Sequence, residues 1–170
     1  MALSAGAAMV VATHAAVHPF ARNTVAGCLV LVVLALVAES LAVEFSDRMT
    51  LTASNLPIVL AVMFLGPAPA LVVAGVSGLW GFWRERSAFI ALFNLSNYVL
   101  AAGMACGAFL LLEALWGFEQ HALSAGLLVA GALAAVTYES ANLAVIGVGS
   151  TLMYGRSLAT YWKAELPPFA

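Results

Sequence analysis

The sequence predicts an all-α fold: a polytopic bundle of transmembrane helices with five spans, six being the alternative. Three observations predict it. Hydrophobic residues fill 64% of the 170 positions and charged residues only 8%, where a soluble domain carries roughly 25% charged residues. Mean hydropathy is +1.05, and apolar runs of spanning length recur along the chain. The six Lys plus Arg and eight Asp plus Glu are too few to coat a 17.6 kDa globule. This composition argues against a soluble enzyme, a nucleic-acid binder with its basic face and a secreted disulfide scaffold. Cys28 and Cys106 both lie in apolar runs and read as buried thiols.

A spanning helix needs about 20 mostly apolar residues. Residues 1–23 hold His14, His18 and Pro19 and lack a basic start, so they read as an N-terminal arm or short helix rather than a signal peptide. Residues 24–170 read as the bundle. Its first span is Thr24 to Val43, followed by a polar connection, Glu44 to Thr50. Leu51 to Leu65 and Ala70 to Trp83 are short for crossings and form a helical hairpin, turned by Gly66-Pro67-Ala68-Pro69. Ser87 to Leu112 is the fourth span, and Glu113 to His121 is a loop. Ala122 to Tyr154 then runs without a basic residue for about 50 Å as a helix, so it protrudes, kinks near Thr137 to Asn142, or divides in two. Tyr161, Trp162 and Lys163 suit a C-terminal segment at the membrane interface.

Charge discriminates between these options. With single crossings, Arg48, Arg84, Arg86, Arg156 and Lys163 share one side and Arg22 lies alone on the other. The positive-inside rule makes the larger group cytoplasmic. Dividing the last segment would erase the bias, which favours one long helix.

Small residues at four-residue spacing allow helices to approach closely in lipid. Ala38 and Ala42, Ala74 and Gly78, and Gly103 and Gly107 are the candidate packing pairs. The spacing suits internal packing better than a subunit interface.

Polar side chains within apolar spans carry the candidate site. Glu39 lies in the first span and Glu139 in the last. Asn94, Asn97 and Tyr98 share a face of the fourth span, and Glu139 and Asn142 are three apart. Ionisable groups in a membrane usually face a bundle interior or cavity. These six residues therefore predict one polar cluster drawn from three helices. It reads either as a small-ligand or ion site or proton-sensitive switch, or as internal glue in which the amides satisfy one another. His14 and His18 are four apart but have no third ligand nearby, so no metal site is assigned. No catalytic, phosphate-loop or cofactor motif occurs, so neither an enzyme nor a cofactor is expected.

The middle of the chain carries a resemblance. Glu39 precedes a polar link, the hairpin TLTASNLPIVLAVMFLGPAPALVVAGVSGLWG (residues 50–81), Arg84 and Arg86, and then LFNLSNYVLA (residues 92–101). This order resembles the N-terminal multi-helix membrane region found ahead of HD-GYP and GGDEF domains in bacterial cyclic-di-GMP signalling proteins. The resemblance covers about Val33 to Lys163. It implies a non-catalytic anchor or sensor module in the bacterial cytoplasmic membrane. It also implies a further helix beyond Leu166 to Ala170, with an output domain in the same chain or in a partner. A looser similarity links the chain to the S components of energy-coupling-factor transporters, which implies small-substrate binding. An accessory subunit of a larger membrane complex is the third reading. The expected partners are the lipid bilayer together with other membrane subunits, a second copy or a cytoplasmic output domain; no nucleic acid is expected.

Overall fold

The computed structural model describes residues 22–41, 43–46, 49–51, 53–84, 88–118 and 124–155. Residues 1–21 of the N-terminal arm, Ala42, Arg48, Arg86, Arg156 and Lys163 lie outside the described residues. Five helices follow one another: α1 (Arg22–Ser40), α2 (Asn55–Phe64), α3 (Pro67–Arg84), α4 (Ala88–Trp116) and α5 (Ala125–Tyr154). Between α1 and α2, strands β1 (Val43–Ser46) and β2 (Met49–Leu51) pair antiparallel, with Val43 opposite Leu51 and Glu44 opposite Thr50. The fold is otherwise helical, as the sequence predicts, and this short ladder lies within one connecting link. The polar link between helices closes its backbone groups in a small ladder rather than leaving them as open loop.

Among the described residues, two helices are long and apolar enough to cross a membrane, α4 and the Ala125–Leu152 stretch of α5. At 29 and 30 residues they extend about 43 and 45 Å, beyond a hydrocarbon core of roughly 30 Å. Only 28% of the apolar stretch of each is buried. Large apolar side chains therefore face outward: Leu29, Val30 and Val33 on α1, Leu111 and Leu115 on α4, Val136 and Leu152 on α5. A core helix of a water-soluble protein would bury those residues. The remaining apolar helices, Thr24–Ser40, Asn55–Phe64 and Pro67–Trp80, are shorter.

Local chemistry explains the helix ends. Leu65 and Gly66 both donate their backbone N–H to Ala61 O, at 2.9 and 3.0 Å, and Gly66 takes φ +86°. That left-handed residue ends α2 and turns the chain. α3 then starts at Pro67, earlier than the expected Ala70, because proline suits a first helical turn, where its missing N–H has no partner to lose. α4 runs past the expected Leu112 to Trp116, which places Glu113 in its last turn rather than in a loop. Ser124 caps α5, its Oγ accepting from Leu127 N at 3.1 Å, and Gly155 at φ +64° ends it. The segment is one helix, unbroken between Thr137 and Asn142.

α2 is the hub. Only 10 residues long, it packs against α1, α3, α4 and α5 and buries Pro57, Ile58, Val59, Ala61, Val62 and Met63. Around it lie Ala35 of α1, Val73 and Ala74 of α3, Ala101, Ala105 and Phe109 of α4, and Leu127, Ala130, Ala134 and Tyr138 of α5. Small residues dominate these contacts, as close backbone approach requires. A helix about 15 Å long cannot cross a bilayer, so its N-terminal polar residues end inside the bundle.

Candidate functional site

The polar residues of four helices meet at that buried end of α2. Tyr98 Oη on α4 donates to Glu39 Oε1 on α1 at 2.7 Å. Asn55 Nδ2, in the first turn of α2, donates to Glu139 Oε1 on α5. Asn97 Nδ2 on α4 donates to Asn142 Oδ1 on α5. Asn142 also reaches Glu139, and Ser54 lies against the Tyr98 phenol. These groups form one neighbourhood, linked by direct hydrogen bonds and by the adjacency of Asn97 with Tyr98 and of Ser54 with Asn55.

Helical spacing explains the convergence. Asn97 and Tyr98 are adjacent on α4 and diverge by about 100°, so one reaches α5 and the other α1. Glu139 and Asn142 lie three apart on α5 and share a face toward α2 and α4. The start of α2 also presents the positive end of its helix dipole, which favours a carboxylate nearby.

Burial is uneven across the site. Asn97 is 2% exposed and Tyr138 fully buried, whereas Glu39, Glu139, Asn55 and Asn142 are half-buried. Two fully buried atoms, Asn97 Oδ1 and Tyr138 Oη, have no hydrogen-bond partner among the described residues. Such atoms are rare in folded proteins.

Of the six residues picked out in the sequence, five enter this arrangement: Glu39, Asn97, Tyr98, Glu139 and Asn142. Asn94 is half-buried and makes none of these hydrogen bonds. Tyr138, adjacent to Glu139 in the sequence, belongs to the same group; the sequence reading lacked two members, Ser54 and Asn55. The signal for these two is Ser-Asn placed directly before a fully apolar run too short to span.

The packing positions are distributed as follows. Ala74 is fully buried. At Gly78 a Cβ would lie 2.7 Å from Leu95 Cα, so α3 and α4 touch backbone to backbone there. Gly103 is half-buried, while Gly107 is exposed with nothing within 4 Å of an added Cβ. Ala38 is half-buried, and the fully buried residue of α1 is Ala35.

A surface recess between α4 and α5 is lined by Phe93, Ala144, Val145, Val148, Gly149 and Leu152. Its lining is apolar and offers no hydrogen-bonding or acid–base chemistry. Among the described residues no group of three His, Cys, Asp or Glu converges, and the groups the cluster offers are carboxylates, amides and hydroxyls. Comparison with family models, curated proteins and solved structures finds no match.

Proposed function

We propose that this chain is a non-catalytic integral membrane module of bacterial signalling type, anchoring and sensing through its helix bundle. The observation that carries this reading is the hydrogen-bonded cluster joining α1, α2, α4 and α5 at the inner end of a short central helix. Interhelical polar contacts in a membrane contribute only about 0.6–2 kcal/mol each. A bundle held in one packing by a few of them can be shifted to another by an equally modest differential affinity. The cluster is the element such a signal would act on.

In this reading the module lies in the bacterial cytoplasmic membrane as a multi-pass protein. Arg48, Arg84, Arg86, Arg156 and Lys163 face the cytoplasm, where an output domain or partner would receive the change in packing. The outward-facing apolar side chains support burial in lipid, and the resemblance of residues 33–163 to signalling membrane regions supports the class.

Gentle extraction of the protein from its own membrane tests this proposal, by native mass spectrometry with denatured intact mass alongside. A signalling output domain, in a chain well above 17.6 kDa or as a stoichiometric cytoplasmic partner, is the expected result. Recovery at 17.6 kDa with a tightly held small substrate would favour a transporter component instead. Recovery with membrane subunits alone would make the chain an accessory subunit.

A further inference from the structure

We propose that Glu139 is a proton-operated latch: uptake of one proton by its carboxylate loosens α5 from α2 and α4, and that proton is the signal the bundle senses. The inference deepens the sensing reading above and rests on it, because it names the signal.

The latch follows from the direction of the hydrogen bonds. Asn55 Nδ2 on α2 donates to Glu139 Oε1. Asn97 Nδ2 on α4 donates to Asn142 Oδ1, which leaves the Asn142 amide N–H for its bond to Glu139, three residues away on α5. The carboxylate thus ends a run of amides whose N–H groups all point toward it. An ionised carboxylate only accepts, whereas a protonated one carries an O–H donor. Its two amide partners are then donors facing a donor. The new O–H is satisfied when the Asn142 amide turns its oxygen toward it, and that turn takes Oδ1 away from Asn97. The bond from Asn55 meanwhile loses its charge assistance, which makes a hydrogen bond roughly twice as strong as a neutral one. One proton therefore weakens the tie of α5 to α2 and releases its tie to α4.

The surroundings leave a proton as the available neutralising species. α5 packs against α2 and α4, and none of these three helices contains a Lys, Arg or His. An ionised carboxylate in a bilayer is costly without a cationic partner, and a proton needs no coordination shell. The half-buried position of Glu139 leaves it open to proton exchange. The other titratable groups here are Tyr98 on α4, Tyr138 beside Glu139 on α5, and Glu39 on α1, which accepts from Tyr98. Phenols ordinarily keep their proton below about pH 9, so the two carboxylates are the groups to separate. Glu39 ties α1 to α4, and its protonation would not free α5 from α2.

The test uses the full chain in lipid nanodiscs, with Cys28 and Cys106 replaced by alanine and a trifluoromethyl tag on Leu56→Cys, an exposed position of α2. Fluorine NMR and infrared difference spectra are recorded from about pH 4 to 9, the range over which protein carboxyl groups titrate. Two fluorine signals should be present. Their ratio should move toward the second packing as pH falls, by up to about tenfold per pH unit, the limit for one proton. A protonated-carboxyl band should appear in step with it. Glu139→Gln should lose that band and hold the low-pH ratio at every pH. Asn55→Ala should keep the band but show a ratio independent of pH, because the proton then has no latch to open. Glu39→Gln should leave the titration in place. If Glu139→Gln fails to fold, Asn55→Ala and the unaltered chain still decide. A titration lost in Glu39→Gln and kept in Glu139→Gln would overturn the assignment. Two signals in a ratio that ignores pH would remove the proton and leave the sensing reading standing, whereas one signal in every variant at every pH would remove both.

Discussion

Tyr98 Oη donates to Glu39 Oε1 at 2.7 Å, joining α4 to α1 across 59 residues of chain. A phenol donating to a carboxylate makes a charge-assisted bond, stronger than a neutral one. α1 turns most of its large apolar side chains outward but packs Cys28, Leu31, Val32 and the buried Ala35 against α2 and α3, so this bond adds a tie to α4, which those packing contacts do not supply.

Tyr98→Phe removes that bond while keeping the ring. It should lower stability by about 1–2 kcal/mol, read as a lower unfolding temperature in nanodiscs. It should also increase cysteine labelling on the inward side of α1 at Ala35→Cys. No change in either quantity would mean that α1 is held by something other than Tyr98.

The small-residue positions give a paired prediction. Gly78→Ala places a methyl 2.7 Å from Leu95 Cα, and backbone atoms cannot yield as a flexible side chain can. α3 and α4 must then separate, and destabilisation of about 1–3 kcal/mol is expected. Gly107→Ala meets open space and should stabilise α4 by up to about 1 kcal/mol through helix propensity. Thermal unfolding of the two variants checks the contrast.

That contrast shows how far the sequence could be read. Four-residue spacing of small residues singled out Gly78 and Gly107 alike, because spacing identifies a face without saying which neighbour covers it. Polar residues within apolar runs were more informative. Glu39, Asn97, Tyr98, Glu139 and Asn142 each had to be satisfied inside the bundle, and the structure gathers them there. Asn55 was legible only as an interruption at the head of a short run. Its role depends on α2 being a 10-residue helix buried among four others, a tertiary fact. The β1–β2 pairing was hidden for a related reason. Its two strands span four and three residues, too few for alternation to show.

Glu139 and Glu113 should respond differently to loss of charge. Glu139 is bonded to Asn55 at the centre of the cluster, whereas Glu113 lies in the last turn of α4, beyond it. Glu139→Leu leaves the Asn55 amide without its acceptor and should cost about 1–3 kcal/mol. Glu113→Gln should stay within about 0.5 kcal/mol. In any functional assay Glu139→Gln should likewise exceed Glu113→Gln. Equal and negligible effects would remove Glu139 from the centre of the account.

Orientation is checked separately. Arg84 ends α3 and belongs to the basic group assigned to the cytoplasm. Arg84→Cys should react with a membrane-impermeant maleimide only when the cytoplasmic face is exposed, as in inverted vesicles. Labelling in intact cells would reverse the topology.

The most direct measurement is the distance between spin labels at Leu34→Cys on α1 and Val136→Cys on α5, with Cys28 and Cys106 replaced by alanine. Both label positions face outward, so the labels leave the cluster untouched. Pulsed electron–electron resonance in nanodiscs should show two distance populations whose proportions shift in Glu139→Gln, as expected of a bundle with two packings. A single distance, identical with and without the Glu139 charge, would mean that the cluster is glue alone and would contradict the sensing account.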